Sequence, residues 1–194
     1  MKPKLVLMLC YARSGGTLLT KVLNSNKKIN VFSEINNICS INSKGSLSKI
    51  ESALLSQARD WFNIEPAGKN YLEILSSIVK INNERGVCTI VRDWSFVQFA
   101  SIEVNNYSPV KNFQFLEILN NHFEIKVFAF VRNGIDVFLS RKNVTISDFE
   151  LSYLNYLDQI LKKRIKYFRY EDLIDNHSKF LLDLSNFINV ENNL

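Results

Sequence analysis

Cysteine, runs of basic residues and long apolar runs are all scarce in this sequence of 194 residues. The three cysteines, Cys10, Cys39 and Cys88, are too few and too scattered to predict a disulfide framework or a zinc site. No apolar run approaches the ~18 residues that a membrane span requires. We therefore expect a protein with reduced thiols and no membrane span, located in the cytoplasm.

The net charge of +5 is a mild preference for anionic partners and does not identify one. The tightest basic cluster is Lys162-Lys163-Arg164, which falls at the end of a predicted helix. Cations at that position complement the helix dipole, so a structural role explains them. We expect no nucleic-acid partner.

Predicted strands alternate with predicted helices along the whole chain, without a repeat, a low-complexity segment or a linker. This alternation predicts an α/β fold with three layers, in which helices cover both faces of a mainly parallel central sheet of about five strands. We expect one domain over residues 1–194. The predicted strands span residues 5–12, 29–32, 86–91, 126–131 and 165–169.

The most informative stretch is residues 4–23, where a buried strand is followed by a glycine turn and a helix. The polar turn reads Arg13-Ser14-Gly15-Gly16-Thr17, and apolar residues from Leu18 onward recur at helical spacing. A helix start presents unpaired N–H groups and a positive dipole end, and the glycines let the backbone approach a bound anion. We interpret this turn as a phosphate-binding loop in a fold like that of the P-loop nucleotide hydrolases.

The turn is not a Walker A motif, which requires a glycine, four residues and then Gly-Lys-Ser/Thr. When Gly15 is aligned with the second glycine, Cys10 stands at the first glycine and Gly16 at the lysine. The missing lysine argues against an ATPase or GTPase, because that lysine contacts the terminal phosphates. A P-loop small-molecule kinase and a non-catalytic nucleotide-binding module remain as alternatives.

Other polar clusters follow the later strands, at the end where open α/β sheets bind their ligands. They are Arg92-Asp93-Trp94, Arg132-Asn133-Gly134 and Tyr170-Glu171-Asp172, and Glu34 follows the second strand. Taken singly, Glu34 reads as a solvated loop residue, Arg132 as half of a surface ion pair and Ser140 as an ordinary helix serine.

Three segments together resemble the sulfotransferases that use 3′-phosphoadenosine 5′-phosphosulfate (PAPS). Residues 13–19 resemble the 5′-phosphosulfate loop of that family. Residues 131–141 resemble its 3′-phosphate motif, with Arg132 at a strand end and Ser140 eight residues later. Residues 169–173 resemble the segment that commonly follows, and the three segments stand in the family's order.

The resemblance implies a co-substrate site for PAPS and no metal. The 5′-phosphosulfate would be held by the loop and the helix start, and the 3′-phosphate by Arg132 and Ser140, with Tyr170 also at the nucleotide. Arg13 and Arg92 would stabilise charge on the transferring sulfonate. The loop residues concerned are Arg13, Ser14, Gly15, Gly16, Thr17 and Leu18.

The loop sequence Arg-Ser-Gly resembles the carbohydrate, tyrosylprotein and bacterial branch of the family, which places a glutamate after the second strand. That resemblance makes Glu34 the preferred general base and Asp93 the reserve candidate. The implied acceptor is a hydroxyl or amine of a carbohydrate or small molecule, and its identity and the oligomeric state stay open. Two departures stand out: Gly16 replaces a usual serine or threonine, and Gly134 replaces a common proline.

Overall fold

The computed structural model describes residues 2–33, 35, 49–65, 69–100, 110–142 and 144–191, and the structural statements below concern these residues. Five strands form one parallel sheet in the order β2-β3-β1-β4-β5. This sheet confirms the predicted fold class. The strands are β1 (Lys4–Cys10), β2 (Ile29–Ser33), β3 (Cys88–Trp94), β4 (Glu124–Val131) and β5 (Lys166–Arg169).

Helices pack on both faces of the sheet, and the central strand β1 shows why. Its residues Leu5, Leu7 and Leu9 join one hydrophobic core, while Val6, Met8 and Cys10 join a second core on the opposite face. Alternate side chains of a strand point to opposite faces, so a strand covered on both sides is apolar throughout. The continuous apolar run in the sequence has this origin.

The described helices divide between the two faces. Helices α3, α5 and α7 contribute buried residues to the core containing Leu7, and helices α1 and α9 to the core containing Met8. No helix in the described ranges is long and apolar enough to cross a membrane. The helices are α1 (Gly16–Asn24), α2 (Lys49–Phe62), α3 (Tyr71–Glu84), α4 (Phe96–Phe99), α5 (Gln114–Asn120), α6 (Gly134–Leu139), α7 (Ile146–Lys162), α8 (Tyr170–Asp175) and α9 (His177–Ile188).

The third strand differs from its predicted bounds in a way that affects the site. The sequence predicts that it ends at residue 91, but β3 continues through Arg92, Asp93 and Trp94. Arg92 and Asp93 are both buried, and each has hydrogen-bond partners there. Partnered charges can occupy a buried strand, so their polarity does not mark the strand end.

Candidate active site

A cleft of about 430 Å³ opens at the carboxyl-terminal edge of the sheet. We call it the carboxyl-edge cleft. Ends of β1, β3 and β4 meet there with the starts of α1 and α8 and the end of α6. A larger cavity of about 640 Å³ lies at the opposite edge and contains none of the predicted site residues. The residues that line the carboxyl-edge cleft are Cys10, Tyr11, Ala12, Arg13, Gly15, Gly16, Thr17, Leu18, Arg92, Asp93, Trp94, Arg132, Ser140 and Tyr170.

The glycine turn connects β1 to α1 in a conformation that requires glycine at one position. Gly15 is the N-cap residue of α1 and has φ = 89°, in the left-handed region. A Cβ atom placed there would lie 2.3 Å from Cδ2 of Tyr170, so the tyrosine ring packs directly on the turn. The backbone of α1 therefore starts at the wall of the cleft, with its first N–H groups unpaired within the helix.

Ser14 and Arg13 hold the turn rather than point freely into solvent. The Ser14 hydroxyl donates to the carbonyl of Tyr11 at 2.7 Å, and the residue is only 1% exposed and does not line the cleft. Arg13 has φ = 68°, and its Nε donates to the carbonyl of Ser140 at 3.1 Å. The hydroxyl of Ser14, a predicted phosphate ligand, is thus already hydrogen-bonded at the base of the turn, while Arg13 connects the turn to the end of α6.

Arg132 faces the loop from the neighbouring strand, and one of its donors is unsatisfied. Its Nη1 donates to the carbonyl of Arg13 at 3.4 Å, and its guanidinium lies 4.5 Å from the centre of the Tyr170 ring. Its Nε is buried without a hydrogen-bond partner, 3.8 Å from Oδ2 of Asp136. The Arg132 side chain as a whole is 25% exposed and lines the cleft, so its other donors are open to an anion there.

The turn that carries Arg132 is fixed by two further side chains. The hydroxyl of Tyr153, on α7, donates to the carbonyl of Arg132, and Glu171 Oε1 accepts a hydrogen bond from the backbone N–H of Asn133 at 2.7 Å. Burial raises the pKa of Tyr153 to about 12, so its hydroxyl stays protonated and can donate. Sequence reasoning missed Tyr153, which reads as one apolar position of an amphipathic helix and carries no signal of its own.

Arg92 reaches from β3 into the first turn of α1. Its Nη1 donates to Oγ1 of Thr17 at 3.1 Å, and the residue is 7% exposed. The neighbouring thiol of Cys10 has its pKa raised to about 12, mainly by burial and against the opposing effect of Arg92. The loop therefore has a buried guanidinium on one side and an uncharged thiol beneath it.

Asp93 lies at the same strand end but in a different setting. Its carboxylate is fully buried, and Oδ2 accepts hydrogen bonds from Ser95 Oγ and Gln98 Nε2, each at 2.8 Å. These bonds organise the turn into α4. Among the described residues, Asp93 is thus a buried acceptor that fixes local structure, at the wall of the cleft.

The remaining predicted residues are placed as follows. Thr17 and Leu18 are exposed at the start of α1, and Ser140 lines the cleft while its hydroxyl donates to the carbonyl of Val137 at 2.8 Å. Glu34 lies outside the described residues. The residue before it, Ser33, is the last of β2 and pairs with Arg92 in the sheet.

Arg141 is a second residue that sequence reasoning did not single out. Its Nη1 donates to the hydroxyl of Tyr11 at 3.0 Å, and its guanidinium lies 4.2 Å from the centre of the Phe96 ring. The Tyr11 hydroxyl also shares a hydrogen bond of 2.7 Å with Ser152. Arg141 thereby ties the segment after α6 to Tyr11, two residues before the polar turn.

Comparison with known proteins gives a fold but no sequence match. No protein-family model matches the chain, and no curated protein matches it. Similar solved structures include a sulfotransferase domain from the curacin biosynthetic pathway, with a TM-score of 0.57 and 19% identity over 97% of this chain and 75% of that one. A sulfotransferase from Alicyclobacillus acidocaldarius has a TM-score of 0.55 and 11% identity, over 97% and 82%.

Mouse sulfotransferase SULT7A1 complexed with PAP has a TM-score of 0.52 and 13% identity over all of this chain. The chain spans only 60% of the length of that mouse protein. At such low identity the likeness shows the fold alone. The fold that the three sequence segments predicted is confirmed: it is the fold of the sulfotransferases.

Proposed function

We propose that this chain, which has the fold of the sulfotransferases, is a PAPS-dependent sulfotransferase. The observation that carries the proposal is the guanidinium of Arg132, which lines the same cleft as the start of α1 and contacts the glycine turn through the carbonyl of Arg13. Two separate anion-binding features suit a nucleotide phosphorylated on both sides of its ribose. Arginine is suited to this task because its planar fork of donors matches phosphate oxygens.

The residues present fit such a nucleotide. The N–H groups at the start of α1, with Thr17 and Leu18 beside them, would hold the 5′-phosphosulfate. Arg132 and Ser140 would hold the 3′-phosphate, and the ring of Tyr170, already stacked under Arg132, would contact the nucleotide. When bound, PAPS supplies an activated sulfuryl group with a phosphate leaving group. No metal is needed in this proposal, because cationic side chains and the helix start supply the positive charge.

The chain's own groups account for the chemistry that transfer requires. Arg92, fixed against Thr17, and Arg13, at the mouth of the loop, would stabilise negative charge at the sulfonate and the leaving phosphate. A general base must take the proton of the acceptor. We propose Glu34 for this role, with Asp93 in reserve. Oδ2 of Asp93 already accepts hydrogen bonds from two donors, which favours a positioning role for this residue.

The proposed acceptor is a hydroxyl or amine of a carbohydrate or another small molecule. The loop supports sulfuryl transfer over phosphoryl transfer, because Gly16 stands where a Walker loop carries its lysine. A kinase would need that cation at the terminal phosphates of ATP. In this proposal the guanidinium of Arg132 binds the 3′-phosphate, a group that ATP lacks.

The test is a calorimetric titration with 3′-phosphoadenosine 5′-phosphate (PAP), AMP and ATP. Because PAP differs from AMP only in its 3′-phosphate, we expect PAP to bind about 10–100-fold more tightly than AMP. Arg132→Gln should abolish that preference, whereas Arg85→Gln, on an exposed arginine at the opposite edge, should preserve it. Tighter binding of ATP than of PAP, or unchanged discrimination in Arg132→Gln, would contradict the proposal. A screen of acceptors with labelled PAPS then identifies the second substrate.

A further inference from the structure

The glycine at position 16 is not required by the backbone. Gly16 is the first residue of α1, and among the loop glycines only Gly15 has a positive φ. A Cβ atom at Gly16 would lie 3.0 Å from Sγ of Cys10, 3.2 Å from Cδ of Arg92 and 3.3 Å from Nη1 of Arg92. An added Cβ would therefore press on the Cys10 thiol and on the Arg92 side chain, both of which would have to move by a few tenths of an ångström.

Arg92 approaches Gly16 from the side. It lies on β3, which pairs with β1 so that Arg92 is opposite Met8, two residues before the end of β1. From there its side chain crosses to the first turn of α1 and donates to Thr17. Burial of the residue limits the positions its guanidinium can adopt. Its donors are thus fixed beside the N–H groups that start the helix.

We propose that Gly16 and Arg92 form one functional unit. Because residue 16 has no side chain, the guanidinium of Arg92 can lie beside the phosphate loop and serve as its fixed cation. In the Walker alignment Gly16 occupies the lysine position, so the loop has no cation at that point. Arg92 supplies one from β3 instead. Gly16 is a positioning residue that acts through Arg92. This inference rests on the proposed function, because it assigns the cation to the 5′-phosphosulfate.

The test is a double-mutant cycle read out by PAP affinity and not by turnover. The four proteins are the wild type, Gly16→Ser, Arg92→Met and the double variant. Gly16→Ser should weaken PAP binding about tenfold or more, because it displaces a charge-assisted donor. In the Arg92→Met background the same substitution should change affinity by less than about threefold, because the guanidinium is already gone. Lys21→Ser adds a serine on the exposed side of the same helix and should have no effect.

A second pair covers the case in which Arg92→Met does not fold. Arg92→Lys keeps the charge on a shorter side chain, so Gly16→Ala should cost less PAP affinity in that background than in the wild type. Thermal unfolding of the ligand-free proteins should show the same non-additivity. Equal penalties in both backgrounds, or a Gly16→Ser variant that binds PAP like the wild type, would overturn the inference and leave the proposed function intact. A wild type that does not bind PAP would overturn both.

Discussion

Replacing Gly15 with alanine should destabilise the protein through two separable effects. The backbone there has φ = 89°, and the added Cβ would lie 2.3 Å from Cδ2 and 2.6 Å from Cε2 of the Tyr170 ring. The first effect is the left-handed conformation itself, which costs a residue with a Cβ atom about 1–2 kcal/mol. The second is the displacement of the ring, since atoms at such distances overlap.

The cost of moving the ring follows from its contacts. Tyr170 lies 4.5 Å from the guanidinium of Arg132, a contact worth about 0.5–2 kcal/mol, and it packs edge-on against Phe130 for about 0.5–1.5 kcal/mol. Losing both adds about 1–3.5 kcal/mol to the backbone cost. We therefore expect Gly15→Ala to lower the free energy of unfolding by about 2–5.5 kcal/mol.

Gly86 provides a matched control, because it has φ = 68° but no atom within 4 Å of the position that an added methyl group would take. Urea unfolding should give a cost of only about 1–2 kcal/mol for Gly86→Ala. In a Tyr170→Ala background, Gly15→Ala should fall to that same value. Equal costs at Gly15 and Gly86 in the wild type would refute the contact between the glycine turn and the Tyr170 ring.

Three further outcomes are expected. Glu34→Gln should leave PAP affinity nearly intact while turnover with labelled PAPS falls by ~10²-fold or more; full activity would assign the base elsewhere. Tyr153→Phe keeps the ring but removes the hydroxyl that donates to the carbonyl of Arg132. It should lower the free energy of unfolding by about 1–3 kcal/mol and reduce the preference for PAP over AMP; an unchanged preference would restrict Tyr153 to a purely structural role. Stability should fall as pH rises from 9 towards 12, because the Cys10 thiol ionises near its ordinary pKa of 9.0 when unfolded but only near 12 when folded. When the free energy of unfolding is measured by urea titration at several pH values in that range, it should fall less steeply with pH for Cys10→Ala than for the wild type. The same dependence on pH in both proteins would contradict the burial of the thiol.

The parts of the fold that could be predicted are those encoded locally. Strand β1 can be predicted from the sequence because both of its faces are covered, which makes six successive residues apolar. The turn before α1 can be predicted because its left-handed conformation favours glycine at position 15. In both cases a few neighbouring residues carry the whole signal, so a single sequence suffices.

The contacts that shape the site could not be predicted, because they join residues far apart in the chain. Arg92 and Thr17 are 75 positions apart, and Tyr153 reaches the carbonyl of Arg132 from a separate helix. An amphipathic pattern shows that one face of α7 is buried, but not which backbone group a tyrosine on that face will meet. The length of β3 was missed for a different reason: Ser95 and Gln98, close by in the sequence, donate to Asp93 and allow a carboxylate to be buried within the strand.

The two departures from the sulfotransferase motifs have a common explanation in packing. A Cβ atom at Gly16 would lie 3.0 Å from Sγ of Cys10 and 3.2 Å from Cδ of Arg92, and one at Gly134 would lie 3.3 Å from Cε1 of Tyr153. Each glycine thus stands beside a large side chain from another element, and each of those side chains also binds the segment it packs on. A local motif read alone counts Gly16 as a lost hydroxyl ligand and Gly134 as a lost proline. In the tertiary structure Gly16 lies beside the guanidinium of Arg92, and Gly134 lies beside the ring of Tyr153. We therefore expect substitutions at 16 and 92 to be non-additive, and likewise those at 134 and 153.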